Sequence, residues 1–202
     1  MYSRLILNSE TNCVVRPSVV ATPLGVAAAY RVHNGRTAGV RYAQALLMLP
    51  MMVPHIILAI GIFYIFVKLE ILGSIPGLVL AQTMLALPFV VVTVLAGLRS
   101  FDMSQEQVAR SMGCTRLRAF MAVTLPQIRA SVLSGALFAF VTSLDEVVVS
   151  LFIAAGDNAT ITKVMFGSLR DEIDPTIATV STLLILCSLT AVVLGMVSSR
   201  RR

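Results

Sequence analysis

Two stretches of this sequence contain no Asp, Glu, Lys or Arg: Tyr42 to Val67 and Ile71 to Leu98. Pro175 to Ser199 is equally free of charge. Ile128 to about Ala155 carries only Arg129 at its start and the pair Asp145-Glu146 inside. Each run reaches the roughly 20 residues needed to cross a hydrocarbon core. In lipid every backbone donor and acceptor must be paired within the segment, so such runs are helices; an open sheet would leave its edge groups unpaired. The composition agrees: 57% of the 202 residues are hydrophobic and 13% charged, far from the globular average. A weaker run, Val14 to Val32, is interrupted by Arg16, Pro17, Pro23 and Gly25. It reads either as a span that includes its polar start or as a surface leader. The expected fold class is all-α, an integral membrane helical bundle of about five transmembrane helices. Residues 1–17 are a poorly defined polar leader, with no continuous apolar core after the first basic residue and hence no clean signal peptide. Residues 18–202 form a single transmembrane domain.

The net charge of +6 invites a nucleic-acid partner, which its distribution excludes. The basic residues sit in short loops between apolar runs, with no outward basic helix or aromatic platform. That distribution orients the chain instead. Arg31, Arg36 and Arg41 share the first loop, Arg99, Arg110, Arg116, Arg118 and Arg129 surround a long polar loop, and Arg200 to Arg202 end the sequence. The intervening loops are short (Lys68 to Leu72) or balanced by acids (Asp157 to Asp174). Alternating sides put all three basic clusters and the C terminus in the cytoplasm of a multi-pass inner-membrane protein. Cys13, Cys114 and Cys187 are too scattered to suggest a metal site or a disulfide framework.

The long polar loop, residues 99–127, holds the segment Asp102 to Pro126. Ser104 followed three residues later by Gln107 predicts a capping box, and Gly113 supplies a residue tolerant of the left-handed conformation that ends helices. A helix of about two turns follows, too short to stand alone in water. A second basic helix is expected from Thr115 to about Val123, stopped or bent at Leu125-Pro126. Two short helices joined at a glycine and flanked by hydrophobic spans predict a docking element.

Gln107-Val108-Ala109, Gly113 and Val123-Thr124-Leu125-Pro126 resemble the EAA loop of ABC-transporter permease subunits of the binding-protein-dependent importer type. The glycine and the Leu-Pro fall at the family spacing. Gln107 stands where the family has an acid and Val108 where it has the first alanine, while Glu106 lies one residue upstream. The resemblance covers about residues 18 to 202. It implies a type I ABC importer permease fold with Ser104, Glu106, Gln107, Ala109, Gly113, Leu125 and Pro126 coupling the chain to a cytoplasmic ATPase. It also implies the partners: a second permease subunit, cytoplasmic ATP-binding subunits, an extracytoplasmic solute-binding protein and membrane lipid, with no nucleic acid. Permeases of this type commonly have six spans and both termini inside, whereas alternation here starts the weak first run outside. The sequence thus looks like a family member with a shortened N terminus.

Within the third strong run, Ser143-Leu144-Asp145-Glu146-Val147-Val148-Val149 places two carboxyl groups near mid-span. An acid there costs several kcal/mol unless it faces a cavity or a partner. Neighbouring positions of a helix point about 100° apart, so one acid would line a path and the other pair with a neighbouring helix. No Lys or Arg in the adjacent spans can neutralise them, which points to water or a solute ammonium; a structural contact between subunits is the alternative. Pro50 and Pro54 break consecutive turns of the Tyr42 to Val67 run and free carbonyls, expected either as a kink or as lining of the translocation pathway. His55 beside them reads as a packing residue, Pro88 as a kink, and Gly25, Gly61, Gly97 and Gly135 as close helix contacts. Asp174 and Pro175 fit the cap and first position of the last helix. The segments Ser143 to Val149 and Arg170 to Ile185 resemble the spermidine/putrescine permeases, which implies a polyamine or related small cationic solute.

No Gly-x-x-x-x-Gly-Lys-Ser/Thr loop is present, so ATP hydrolysis is expected from a partner. There is no nucleophile elbow and no catalytic residue, metal site or cofactor is expected: the chain reads as a non-enzyme. Two readings stay open beside the importer, a secondary transporter or channel subunit without ATPase partners and an inert truncated permease relic.

Overall fold

The structure, a computed structural model, describes residues 14–35, 38–154 and, beyond them, 163, 179, 181–183, 185, 186, 188–190 and 193. Among these residues every regular element is helical. In chain order they are α1 (Arg16–Asn34), α2 (Ala38–Met52), α3 (His55–Lys68), α4 (Ile75–Ser100), α5 (Ser104–Ser111), α6 (Arg116–Ala119), a π-helical turn (Phe120–Thr124), α7 (Leu125–Gln127), α8 (Arg129–Asp145) and α9 (Val148–Ile153). Residues 1–13 of the polar leader and most of the Pro175 to Ser199 run, with Asp174 and Pro175, lie outside the described residues, whereas Arg16 and Pro17, expected in that leader, already belong to α1.

The 26-residue α4 is the element on which the others pack. At 1.5 Å per residue it is about 39 Å long, and 61% of its most apolar window is buried. Ser74 starts it, its hydroxyl accepting from the Gly77 N–H at 3.2 Å. The helix runs unbroken through the buried Pro88. Its N-terminal half, through Leu78, Ala81 and Leu85, packs on Ala59, Ile62 and Phe66 of α3 and on Val149 and Ile153 of α9. Its C-terminal half, through Val90, Val91, Val94 and Leu98, packs on Ala21, Val26 and Ala29 of α1 and on Ala139 of α8.

Small residues set how closely α1 and α8 approach. A Cβ on Gly25 would lie 2.6 Å from Val90, and one on Gly135 would lie 2.6 Å from Thr93 Oγ1 and 3.3 Å from the Val90 Cα. Val90 is therefore flanked by a glycine from each neighbouring helix. Gly97 meets Ser131 in the same way, but Gly61 has open space around it and makes no such contact. Three of the four glycines act as expected; Gly61 does not. In α1, Ser18 and Thr22 donate back to the carbonyls of Val14 and Ser18 at 2.7 Å. This returns their hydroxyl donors to their own helix and keeps them from apolar surroundings.

Among the described residues one helix, α4, is long and apolar enough to cross a membrane, and up to three spans exist if each of two bent pairs counts as one. The first bent pair is α2 with α3, at 108°. The two prolines do not share the break. Pro50 is buried inside α2, and the chain turns at Val53-Pro54, where the Pro54 carbonyl accepts from Ile57 and Leu58 at 3.0 and 3.2 Å. The second pair joins the α6–α7 segment to α8 at 80°. The run from Ile128 to Ala155 is also not one helix: Glu146 has φ −75° and ψ 92° and separates α8 from α9.

Candidate functional site

Two polar sites stand out, one at the end of the bundle and one inside it. The first is the loop after α4. Its helix α5 begins differently from the expected capping box: Ser104 does not cap against Gln107. Asp102 is the cap, its carboxylate accepting from the Ser104 N–H at 3.0 Å and from the Ser104 hydroxyl at 2.7 Å. These bonds, the side-chain one first, hold the exposed Asp102 carboxyl below the usual carboxylate range. A depressed folded-state value strengthens α5 above the ordinary carboxylate pKa and loses that contribution as pH falls through and below it. At neutral pH, tryptic cleavage after Arg110 is expected to be faster in Asp102→Ala than in the unaltered protein; equal rates would exclude this cap.

The C terminus of α5 forms as the sequence predicts. Gly113 has φ +92°, with Gly113 N–H bonding the Arg110 carbonyl at 3.0 Å and Cys114 N–H the Ala109 carbonyl at 3.2 Å. These are the paired bonds of a Schellman cap. Thr115 then caps α6, accepting from Arg118 N–H at 3.4 Å. Leu125-Pro126 does not stop this second helix. The chain first widens to a π turn, closed by Leu125 N–H on the Phe120 carbonyl, and continues through Pro126 to Gln127. Proline has no N–H to offer the preceding turn, and π turns are one way a helix accommodates such a defect. The sharp bend falls at Ile128.

Glu106, not Gln107, is the acid that the fold uses. It is 2% exposed on the inner side of α5. One carboxyl oxygen accepts from the Tyr30 hydroxyl of α1, the other from the Thr124 hydroxyl at 2.5 Å. Arg116 Nε donates to the same Tyr30 oxygen at 3.3 Å. Phe120 packs on the Tyr30 ring with centroids 4.6 Å apart. Gln107 and Gly113 are exposed, Ala109 and Leu125 are half-buried, and Pro126 is exposed. The outward surface carries Val108, Met112 and Leu117, exposed by 59%, 81% and 72%.

The second site lies where two helix breaks meet. Glu146 is 5% exposed. Its Oε1 accepts from Val149 N–H at 2.9 Å, satisfying a free donor at the start of α9, and its Oε2 lies 3.3 Å from His55 Nδ1. The Pro54 break presents His55 as the first residue of α3, so the acid does have a partner within the protein and His55 is more than a packing residue. Asp145, by contrast, is exposed at the end of α8. The two carboxyl groups diverge because the helix ends between them, not because of the helical 100°. Ser150 Oγ donates to the Glu146 carbonyl at 2.8 Å, and Gln82 Nε2 of α4 donates to Ser150 Oγ at 3.4 Å. The Gln82 Oε1, Thr83 Oγ1 and Ser143 Oγ atoms are buried with no hydrogen-bond partner. Such groups are costly in a dry interior and cheap beside water or a polar ligand. Pro50 joins this cluster only through the helix that ends at the break. Tyr30, Thr124, Gln82 and Ser150 were not singled out from the sequence; no local pattern marks a contact made across 76 residues, such as Tyr30 with Glu106.

Broken helices around a buried carboxylate, with a short helix at one end of the bundle, suit an integral-membrane transport permease, and the family match places the chain in that class. The chain belongs to the family described as binding-protein-dependent transport system inner membrane component, which it matches over residues 21–202. It is 28% identical over 184 residues to the spermidine/putrescine transport system permease protein PotC of Haemophilus influenzae, covering 91% of this chain and 72% of that one. It is 30% identical over 166 residues to the putrescine transport system permease protein PotI of Escherichia coli K12, covering 79% of this chain but 59% of the relative. Its fold is that of a chain in inward-facing MetNI, a methionine ABC transporter, with a TM-score of 0.80, 15% identity, and coverage of 99% of this chain and 97% of that one.

Proposed function

We propose that this chain is a permease subunit of an ATP-driven importer of polyamines or related small cationic solutes. A second permease subunit, cytoplasmic ATP-binding subunits and an extracytoplasmic solute-binding protein complete the transporter. The observation that carries the coupling part of this reading is α5 itself. It is held against the bundle by Glu106 and offers an apolar outer rim, Val108 and Met112, with Leu117 of α6 beside them. ATP-driven closure of the ATPases moves this docked helix, and the bundle reorients Glu146 from one side of the membrane to the other. The loop and the C-terminal end of α1 meet through Tyr30, which supports placing Arg31 and the loop on the same, cytoplasmic side.

The solute assignment rests on the two polyamine permeases above and on the chemistry of the inner site. A buried carboxylate and an unpaired amide oxygen on Gln82 are both acceptors, suited to an ammonium group. His55 occupies part of that carboxylate, so an entering cation exchanges with an internal partner instead of meeting a bare charge. Two separate claims follow. ATP-dependent uptake of labelled putrescine or spermidine by proteoliposomes holding the full complex tests the solute; uptake of neither sets aside the polyamine assignment. Gly113→Arg tests the docking. A Cβ there meets nothing within 4 Å, so insertion and packing are expected to survive. An arginine in a left-handed position costs about 1–2 kcal/mol and places a bulky charge on the docking surface, so coupling is expected to be abolished. Normal transport in that variant refutes the docking role.

A further inference from the structure

We propose that the push received by α5 leaves the loop through Tyr30 into α1, and not only along the covalent chain into α4 and α8. This rests on the docking reading above. The covalent joints are slender. Asp102 on one side is exposed, and Gly113 on the other has φ +92° with nothing packed around it. The non-covalent joint is much denser. The Tyr30 hydroxyl donates to Glu106 in α5 and accepts from Arg116 in α6, while its ring lies against Phe120 of the π turn. The Arg116 guanidinium sits 5.3 Å from the same ring centroid. One side chain of α1 is thus held by three successive pieces of the loop.

The energetics make this joint stiff. Both oxygens of the Glu106 carboxyl are used, by Tyr30 and by Thr124, in a place where it is 2% exposed. Sliding α5 away from α1 would strip a buried carboxyl of its Tyr30 donor, and a buried polar group that loses a partner is far more costly than a bond stretched at a surface. The lower-energy course is for α5 and α1 to move together. From α1 the displacement passes to α4 through the Gly25–Val90 contact, where there is no slack to absorb it. Glu106 and Tyr30 are therefore positioning residues for the coupled cycle.

The test is the number of solute molecules moved per ATP hydrolysed, measured on the complete complex in proteoliposomes. Tyr30→Phe keeps the ring contacts and removes only the hydroxyl; Glu106→Leu removes the acceptor. Both are expected to lower that ratio about tenfold, the factor for one lost hydrogen bond to a charged group, with normal amounts of subunit in the purified complex. Glu106→Gln keeps an acceptor for Tyr30 and is expected to restore most of the ratio. An unchanged ratio in Tyr30→Phe and Glu106→Leu overturns the proposal. So does a loss of the subunit from the complex that Glu106→Gln does not repair, which would make the contact merely structural. Failure of the unaltered complex to couple ATP hydrolysis to uptake would instead sink the importer reading itself.

Discussion

Glu146→Ala is expected to reduce solute uptake to background and to lower the thermal stability of the purified complex. Two losses coincide. The Val149 N–H loses its acceptor, and a buried donor left unmade costs about 1–3 kcal/mol. His55 Nδ1 loses its acidic neighbour across the helix breaks. Glu146→Gln separates these effects, since the amide oxygen can still accept from Val149 while the negative charge is gone. Stability is then expected to return and uptake to stay low. If Glu146→Gln transports at the ordinary rate, the charge plays no part in the solute path and Glu146 is a helix cap alone. His55→Ala provides the complementary measurement: with its internal partner removed, the acid is expected to hold a cationic solute more tightly and release it more slowly.

The second large effect is in packing. Gly25→Leu or Gly135→Leu is expected to prevent stable assembly of α1, α4 and α8, seen as loss of monodisperse protein in detergent. Overpacking a close-packed site costs about 1–3 kcal/mol or more, and here the distances are severe. The obstruction at Gly25 is the Val90 Cβ and Cγ1, both at 2.6 Å. Even Gly25→Ala is therefore strained, and Val90→Ala does not relieve it, because the Cβ remains. At Gly135 a Thr93 rotamer change relieves the 2.6 Å contact with Oγ1, but the Val90 Cα at 3.3 Å is backbone and must itself shift. Gly61→Leu, with open space around the site, is the control and is expected to be tolerated. Equal stability of the Gly25, Gly135 and Gly61 variants would refute this account of the α1–α4–α8 seam.

Much of the loop was legible because its signals are local. Gly113 tolerates a left-handed backbone whatever surrounds it, and Thr115 and the α5 length follow from neighbours a few residues away. The start of α5 was misread for a related reason. Asp102 and Gln107 both offer plausible partners to Ser104, and only the path of the chain leaving α4 selects Asp102. The polar contact was open between Glu106 and Gln107, one position apart on a helix, and the sequence pattern left it so. What decides it is which side of α5 faces α1, a tertiary fact.

The interior site divides in the same way. A mid-run acid pair and a nearby Pro-x-x-x-Pro were visible as expensive features that a membrane helix would not carry idly. Their pairing was not visible, since His55 and Glu146 belong to different runs.

Taken by itself the sequence determined the medium, the helical class and the glycine end of α5, because hydropathy and glycine act over a few residues and need no partner. The tertiary structure alone decided which groups meet: Tyr30 with Glu106, His55 with Glu146, Gly25 and Gly135 with Val90. Those contacts join elements far apart in the chain, and their energies come from desolvation and close approach, quantities that exist only once the helices have packed.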